Sequence, residues 1–364
     1  MRTVNLFKHA IPSLLLLWGL ISTSVFAFDQ PQIYQLKAKQ RVMILGDSTQ
    51  NEGTAVAGHI RLADQAQREQ LPDQDITIAG SGWPQHTAAS LPNQINQLVK
   101  ISPYNKVVPD VVILCHGLND GSDVAGYVGH LRQAVIQLRE MNVTPIISTP
   151  TMWGGLTRTK PLAEAARALA AEMKVPLIDR YAAHADHIMK NTKDGVLLPG
   201  GDPTRDGVHF NSIGETLSAT AILQAFGLKP VWKNYQMRIG ITFRNGAGKI
   251  ILESENPSDP PGTKVTRTVE EWVSYAEKAN GSSYCLDNLA PIPAGSRITL
   301  TVEPAAGYKF YCWEMENGPN GGHEYTAKIS FILDRHRHIS AYVRSSNSTD
   351  IPPWAIKPGE TKKP

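Results

Sequence analysis

Short apolar runs alternate with longer amphipathic stretches from Arg41 to Gly227, and this pattern constrains the fold more than any other feature of the sequence. The apolar runs are almost continuous, as strands must be when both of their faces are buried. The order therefore predicts a parallel sheet that is covered by helices on both faces. The predicted strands are Val42–Leu45, Ile76–Ala79, Val111–Cys115, Thr144–Ser148 and Pro176–Ile178. The predicted helices are Val56–Gln70, Ala125–Met141, Leu162–Met173 and Ile213–Phe226.

The N-terminal segment has the pattern of a secretory signal peptide. Arg2 and Lys8 precede an apolar run, Ile11–Ile21, and small residues then lead to Ala27. The run is too short to cross a bilayer about 30 Å thick, and Ala27 provides a cleavage site. A retained N-terminal anchor is the alternative. We expect residues 1–27 to be removed from a periplasmic or extracellular protein without a membrane span.

After Gly227 the sequence changes to short alternating segments separated by Gly, Pro, Asn and Asp. This predicts a small antiparallel β domain over residues 230–344, after an α/β domain over residues 28–229. Residues 345–364 are rich in Ser, Pro and Lys with little to bury, so we expect a disordered tail. The predicted strands of the β domain are Met237–Phe243, Lys249–Leu252, Arg297–Val302, Tyr308–Trp313, Ala327–Leu333 and His338–Val343.

One part of the β domain, from Ile298 to Val343, resembles the small β repeat modules of bacterial surface and secreted proteins. The matching residues include Pro304, Gly307 and Trp313. Such modules are usually spacers or attachment units. The resemblance therefore implies a spacer, or a contact with a cell surface or a glycan, and no chemistry.

Charge and cysteine content narrow the range of partners. The formal net charge is +3 and the basic residues are scattered, which favours neither nucleic acid nor an anionic membrane surface as a partner. Cys115 lies in a predicted strand and is interpreted as a small buried residue. In an oxidising compartment Cys285 could pair with Cys312, and closing that loop would be worth roughly 3 kcal/mol. We predict this disulfide.

Four short motifs follow predicted strands, at the sheet edge where open α/β sheets bind ligands. The first, Gly46–Thr49, places Ser48 on a tight turn that can project its hydroxyl over the sheet edge; a helix N-cap is the alternative. The second, Gly80–Gly82, can bring a backbone N–H close to a reacting carbonyl or form a simple turn. In the third, Gly117–Asp120, the side-chain amide of Asn119 can donate to an oxyanion or cap the next helix.

The fourth motif is Asp206–His209. Its three-residue spacing brings a carboxylate beside an imidazole. Asp206 can then fix the tautomer of His209, whose other nitrogen takes a proton from Ser48. A metal site that includes Asp202 is the alternative, but no second ligand pair has a recognisable spacing. We therefore expect neither a metal nor a cofactor.

In this order the four motifs resemble the blocks of the SGNH (GDSL-like) hydrolase superfamily, over about Arg41 to Phe226. The resemblance implies a three-layer α/β/α sheet of flavodoxin-like type and a serine esterase, which the signal peptide makes a secreted one. It also implies that Ser48 is the nucleophile and that His209 and Asp206 complete the catalytic triad.

The same resemblance implies an oxyanion hole. Its donors would be the backbone N–H of Ser48, the backbone N–H of Gly82 and the side-chain amide of Asn119. Gly80 is the alternative to Gly82. Gly82 is favoured because the residues that follow it, beginning with Trp83, match the family pattern better.

The substrate class is open among the esters that this superfamily hydrolyses. Trp83 and Trp153 follow the second and fourth predicted strands and suit stacking on a sugar face. Together with export, they favour a carbohydrate O-acetylesterase acting on acetylated polysaccharide. A lipase, lysophospholipase or arylesterase is the alternative within the superfamily. A non-catalytic glycan- or surface-binding protein on a hydrolase scaffold is the alternative from another class.

Overall fold

The structure is a computed structural model and describes residues 33–101, 104, 107–153, 155–198, 201–241, 248–269, 284–285, 291–315, 322–348, 355 and 357. All of these residues belong to one structural unit, residues 31–364. The predicted signal peptide and most of the predicted C-terminal tail lie outside the described residues.

The α/β domain is built on a five-stranded parallel sheet with the strand order β2-β1-β3-β4-β5. Along β1 the side chains alternate: Val42 and Ile44 pack on one face, and Met43 and Leu45 pack on the other. All four are buried, which explains the near-continuous apolar run. The strands are β1 Arg41–Gly46, β2 Thr77–Gly82, β3 Val111–Cys115, β4 Thr144–Ser148 and β5 Leu177–Ile178.

Helices cover both faces of the sheet, so the predicted three-layer α/β/α fold is confirmed. Helices α3, α5 and α6 pack on one face, and α2 and α8 on the other. The bounds are α1 Ser48–Gly53, α2 His59–Gln70, α3 Leu91–Asn96, α4 Leu98–Ile101, α5 Val124–Glu140, α6 Lys160–Met173, α7 Arg180–Lys190 and α8 Ser212–Ala225. The sequence pattern did not predict α1, α3 and α4, which are too short to show a helical period. It also missed α7, which buries the polar residues Arg180 and His184.

Short strands and two larger sheets make up the remainder. The β domain has a four-stranded sheet, β11-β10-β14-β17, and a five-stranded sheet, β12-β9-β18-β15-β16. Its core contains Trp313, Ile239 and Leu300. The strands are β6 Thr192–Lys193, β7 Val196–Leu197, β8 Asn234–Tyr235, β9 Met237–Ile241, β10 Gly248–Glu255, β11 Val265–Val269, β12 Tyr284–Cys285, β13 Ile292–Pro293, β14 Arg297–Pro304, β15 Tyr308–Met315, β16 His323–Glu324, β17 Lys328–Ile332 and β18 Arg337–Ser345.

The β domain is antiparallel, as predicted, except where β9 pairs with β18 in parallel. These strands lie near the two ends of the domain sequence. The long connection between them permits a parallel pair, which a short hairpin cannot make.

The predicted disulfide between Cys285 and Cys312 is wrong. Cys312 is a buried free thiol. Cys285 lies in β12 and Cys312 in β15, and both β9 and β18 lie between these strands in the sheet. Three strand spacings amount to about 14 Å, well beyond the ~7 Å between Cα atoms that a disulfide can span. Cys115 is buried in β3, as the sequence indicates.

Within the part of the chain that the structure describes, no helix is both long enough and apolar enough to cross a membrane.

Candidate active site

Ser48 is the first residue of α1, directly beyond the C-terminal end of β1. Local sequence fixes this position, because Asp47 caps the helix. The Oδ1 atom of Asp47 accepts hydrogen bonds from the backbone N–H of Thr49 (3.0 Å) and from its hydroxyl (2.8 Å). In return, the N–H of Asp47 donates to Oε1 of Gln50 (3.1 Å), which completes a capping box.

The Asp47 carboxyl is buried directly beneath this helix start, with 1% of the residue exposed. Burial raises its pKa above the ordinary value. Hydrogen bonds from Thr49 and the nearby charges of Arg180 and His209 oppose that rise. Asp47 therefore serves the fold as a cap, and its burial keeps it out of reach of a substrate.

Three side chains from two distant segments form a hydrogen-bonded chain. The Nε2 atom of His209 lies 3.2 Å from Oγ of Ser48. The Nδ1 atom of the same ring lies 2.8 Å from Oδ2 of Asp206. The geometry thus brings the predicted nucleophile, base and orienting carboxylate together, in the order that a serine hydrolase triad requires.

Asp206 is held ionised by local hydrogen bonds. Its Oδ1 atom accepts the backbone N–H groups of Val208 (3.0 Å) and His209 (2.7 Å). Partial burial would raise the pKa of Asp206, but the bonds from the His209 ring and from these two N–H groups outweigh it and hold the pKa below its ordinary value. A carboxylate in this state suits an imidazole that becomes positively charged during a reaction.

The loop that carries this pair is closed by backbone hydrogen bonds. The N–H of Arg205 donates to the carbonyl of His209 (2.9 Å). The hydroxyl of Thr204 accepts the N–H of Gly207 (3.1 Å). Gly207 has a φ of 84°, a left-handed conformation that glycine adopts without steric cost. The turn therefore sets the angle between the Asp206 carboxylate and the His209 ring.

Phe210 anchors the same loop in the interior. Its ring is buried between two buried histidine rings, those of His59 (5.7 Å between centroids) and His184 (5.0 Å). The Nδ1 atom of His59 lies 2.6 Å from a carboxylate oxygen of Glu215 in α8. Burial lowers the pKa of His184 to about 3, with nearby positive groups adding to the effect, so that ring packs as a neutral group.

Glu52 and Arg205 lie beside His209 and were not found by sequence reasoning. An ion pair joins the guanidinium of Arg205 to Oε1 of Glu52 (2.6 Å). The same oxygen lies 3.9 Å from Nε2 of His209. The available signal was the four-residue spacing from Ser48, which puts Glu52 on the same helix face, but α1 itself was not predicted.

Asn119 joins two loops at the same edge of the sheet. Its side-chain amide donates one hydrogen bond to the carbonyl of His86 (3.0 Å). The carboxylate of the next residue, Asp120, accepts the N–H of Ala88 (3.0 and 3.1 Å to its two oxygens). An asparagine amide has two N–H groups, so the bond to His86 leaves the second for an oxyanion.

The glycine motif forms the end of β2, not a turn beyond it. A Cβ on Gly82 would overlap the backbone of Asp47 and Asn51, and one on Gly80 would overlap the side chain of Ile60. These overlaps explain why both positions are glycine. The N–H of Trp83 donates to the carbonyl of Gly46 in β1 (2.9 Å). Because successive N–H groups point to opposite sides of a strand, that of Gly82 points away from β1. The oxyanion role of the Gly82 N–H stays a prediction. The direction of this N–H, away from β1, does not favour it.

Sequence comparison identifies the α/β domain. The model of the GDSL-like lipase/acylhydrolase family matches residues 44–217. This domain is a member of that family. The chain is accordingly a carboxylic ester hydrolase. No curated protein matches it.

Solved structures resemble part of this chain at low identity. Axe2, an acetylxylan esterase from Geobacillus stearothermophilus, is 19% identical with a TM-score of 0.46, and the match covers 55% of this chain and 99% of that one. The acetyl xylan esterase AlAXEase is 23% identical with a TM-score of 0.43, over 51% of this chain and 98% of its own. LAE5, an alpha/beta hydrolase from the metagenome of Lake Arreo, Spain, is 19% identical with a TM-score of 0.44, over 53% and 97%.

The two tryptophans predicted to bind substrate differ in their surroundings. In the GDSL-like domain the ring of Trp83 is partly exposed and contacts the ring of His86 edge to face (5.2 Å between centroids). The guanidinium of Arg158 lies 3.5 Å from the ring centroid of Trp153 and covers one of its faces. Of the two, Trp83 is the better candidate for stacking on a sugar.

Proposed function

We propose that this GDSL-like hydrolase is an exported serine esterase that removes acetyl groups from carbohydrates. Ser48 acts as the nucleophile, His209 as the general base and Asp206 as the group that orients it. The observation that carries the proposal is the continuous set of contacts from the serine hydroxyl through the imidazole to the carboxylate, at 3.2 and 2.8 Å.

Acylation begins when the Ser48 hydroxyl attacks the ester carbonyl carbon and its proton moves to Nε2 of His209. The new carbon–oxygen bond leaves the former carbonyl oxygen negatively charged. The N–H of Ser48, one of the first in α1 and so without an acceptor within the helix, and the amide of Asn119 stabilise that charge. The C–O bond to the alcohol then breaks, and the proton on His209 passes to the leaving oxygen.

Deacylation repeats these steps with water. His209 takes a proton from the water, whose oxygen attacks the acyl-enzyme carbonyl. The bond to Ser48 Oγ breaks, the serine recovers its proton from the imidazole, and the carboxylic acid leaves. Atoms and protons balance without a cofactor.

The surroundings of the triad support a polar substrate. The side chains of His209 and Asp206 are 28% and 47% exposed, and the charged groups of Glu52 and Arg205 lie beside the imidazole. Charged groups at an open site are costly to cover with a long acyl chain, whereas a hydrated sugar chain with small acyl substituents tolerates them. This favours acetyl esters of carbohydrates over lipids.

The catalytic half of the proposal is tested with p-nitrophenyl acetate. Ser48→Ala is expected to lower turnover at least about 10³-fold, because the nucleophile is lost. Ser122→Ala, an exposed serine in the loop before α5, is the matched control and should behave as wild type. Equal rates for the Ser48 variant and wild type would reject Ser48 as nucleophile.

The substrate half is tested by comparing acetate release from acetylated xylan and acetylated glucomannan with hydrolysis of p-nitrophenyl palmitate and lysophosphatidylcholine. We expect faster turnover of the acetylated glycans. Faster turnover of the lipid esters would overturn the proposed substrate class but would not affect the proposed roles of Ser48, His209 and Asp206. Binding of acetylated glycan by a wild-type protein that hydrolyses none of these esters would instead favour the non-catalytic alternative.

Export is part of the same proposal and rests on the N-terminal sequence alone. Expression of the full chain in a Gram-negative host, followed by N-terminal sequencing of the periplasmic and culture-medium protein, is expected to give Phe28 as the first residue. Retention of Met1 in a membrane-bound product would favour the anchor alternative.

A further inference from the structure

The turn between α1 and α2, residues 54–58, is a strained connection in the GDSL-like domain. Ala57 lies in it with a φ of 58° and is fully buried. This left-handed conformation is unfavourable for alanine, whose Cβ approaches the following carbonyl oxygen. A Cβ on Gly58 would overlap the carbonyl of Gly53, so the turn is also tightly packed. Such a turn persists only when neighbouring groups hold it.

A residue at the start of the β domain holds this turn. The side-chain oxygen of Gln236 accepts the backbone N–H of Ala57 at 2.7 Å. The amide nitrogen of Gln236 donates to the side chain of Gln65 in α2 (2.6 Å), and the backbone N–H of Gln236 donates to Nδ1 of His336 (3.0 Å). Gln236 is only 4% exposed, so these bonds are shielded from water.

Further contacts bind the same segment along α2. The side chain of Gln65 donates to the carbonyl of Asn234 (3.0 Å). The carboxylate of Glu69 accepts the N–H of Lys233 (2.9 Å) and the side-chain amide of Asn234 (3.1 Å). The first residues of the β domain are therefore hydrogen-bonded to α2, the helix that follows the strained turn. The position of the turn and the position of this segment depend on each other.

A second residue of the β domain contacts the same turn. His338, at the start of β18, is partly exposed by surface area. Desolvation lowers its pKa well below the ordinary value, the charges of Arg238 and Arg205 add to this, and a hydrogen bond to the backbone of Ala57 opposes it. Arg205 is the residue that pairs with Glu52 beside His209. One ring of the β domain thus contacts the turn that follows the Ser48 helix and feels the charge of Arg205.

We propose that the β domain helps to position the active-site residues. Gln236 is the positioning residue: it holds the Ala57 turn so that Ser48 stays aligned with His209. This inference rests on the proposed function, because it assigns Gln236 a role through Ser48. It replaces the expectation that the C-terminal module is only a spacer or attachment unit.

The test compares Gln236→Ala, Ala57→Gly and the double variant in the full-length chain. Two rates are measured: turnover of p-nitrophenyl acetate, and covalent labelling of Ser48 by a p-nitrophenyl phosphonate, which needs neither deacylation nor glycan binding. Gln236→Ala is expected to lower kcat and the labelling rate roughly 10- to 100-fold with little change in KM, as small misplacements of reacting groups do.

The double variant provides the rescue. Glycine adopts the left-handed conformation without steric cost, so Ala57→Gly should let the turn keep its shape without the Gln236 bond. We expect Gln236→Ala/Ala57→Gly to recover most of the lost labelling rate. Thr299→Ala, which removes an exposed hydroxyl bond to Ser330 between β14 and β17, is the β-domain control and should match wild type.

The outcomes separate this inference from the proposed function. The inference is overturned if the Gln236→Ala enzyme has a lower melting temperature but wild-type rates of Ser48 labelling and of turnover. The β domain would then only stabilise the fold. Loss of activity that Ala57→Gly does not rescue also overturns it. A wild-type enzyme with no Ser48-dependent labelling overturns the proposed function and this inference together.

Discussion

The segment that carries Ser48 and the segment that carries His209 each depend on an aspartate, but the two aspartates differ in burial and in the direction of their pKa shifts. Asp47 is buried beneath the start of α1, and burial raises its pKa. The Asp206 side chain is 47% exposed, and hydrogen bonds from the His209 ring and from two backbone N–H groups outweigh partial burial and lower its pKa. The same residue type thus fixes backbone in one segment and orients an imidazole in the other.

The difference shows which property of each carboxyl matters. A cap needs a hydrogen-bond acceptor in a fixed place, which a neutral amide can also supply. An orienting group stabilises a ring that becomes positively charged far better when it carries a negative charge. Substitutions that keep the shape but remove the charge should therefore separate the two aspartates, and the predictions below run from the largest expected effect to the smallest.

Asp206→Asn tests the charge of the exposed aspartate. Turnover of p-nitrophenyl acetate is expected to fall about 10²- to 10⁴-fold, because the amide can hold the wrong tautomer of His209 and cannot stabilise the imidazolium. Asp186→Asn, an exposed aspartate in α7 that pairs with Lys190, is the matched control. An unaffected Asp206 variant would mean that another group orients the imidazole, and the comparison would fail.

Asp47 should respond to loss of the acceptor more than to loss of charge. Asp47→Ala is expected to lower the free energy of unfolding by about 1–2 kcal/mol, the usual effect of removing an N-cap. Asp47→Asn keeps an acceptor oxygen and should cost less than the alanine variant. Urea unfolding of the three proteins measures both effects. Equal losses for the asparagine and alanine variants would mean that the buried charge, and not the acceptor oxygen of the cap, is what matters.

Glu52→Gln tests the second carboxylate near His209. It removes a negative charge 3.9 Å from Nε2 and breaks the ion pair with Arg205. Turnover is expected to fall roughly 3- to 10-fold, since the imidazolium formed in the reaction loses a nearby anion. Steady-state kinetics with p-nitrophenyl acetate measures this loss. A Glu52→Gln enzyme that turns over at the wild-type rate would contradict this account.

Asp120 gives the smallest expected effect, a change in pH dependence. Burial raises its pKa to about 6, with the Ala88 N–H opposing this and the charge of Asp47 adding to it. Between the unfolded value near 3.8 and the folded value the native state holds a proton that the unfolded chain has lost. Stability from this group is therefore full below pH 3.8 and is lost as the pH rises through 6.

Asp120→Asn should flatten that part of the stability curve. The difference between pH 4 and pH 7 is expected to be about 1 kcal/mol after allowance for partial exposure to solvent. Urea unfolding across this pH range measures it, and Asp123→Asn at the neighbouring helix cap serves as the comparison variant. A curve that rises more steeply in wild type than in the Asp120 variant would reverse the sign and contradict the prediction.

Regular elements of the α/β domain could be predicted closely because their patterns are local. Val111–Cys115 and Thr144–Ser148 were predicted with the bounds that the structure has, and α5 differs by one residue at each end. The predicted strand from Ile76 was too short, because Gly80 and Gly82 read as turn residues. Their packing against Ile60 and α1 keeps them in the strand, and that contact involves residues far apart in sequence.

The candidate site was predictable where a motif carries its own geometry. Asp206 and His209 lie three residues apart, and their spacing alone brings the two side chains together. Glu52 and Arg205 are 153 positions apart in the sequence, and no local pattern relates them. The disulfide prediction failed for the same reason, the lack of a local pattern. Neither the number of cysteines nor the compartment reveals how many strands separate Cys285 from Cys312.

The sequence by itself determined the five strands of the parallel sheet, four of the helices that cover it, their order, and the residue types that could perform acyl transfer, because hydrophobic period and motif spacing act over a few neighbouring residues. Only the tertiary structure decided that Ser48 and His209 meet, that β9 and β18 pair in parallel, and that the side chain of Gln236 accepts a hydrogen bond from the turn that follows the Ser48 helix. These contacts depend on how separate surfaces pack, and packing is a property of the whole folded chain.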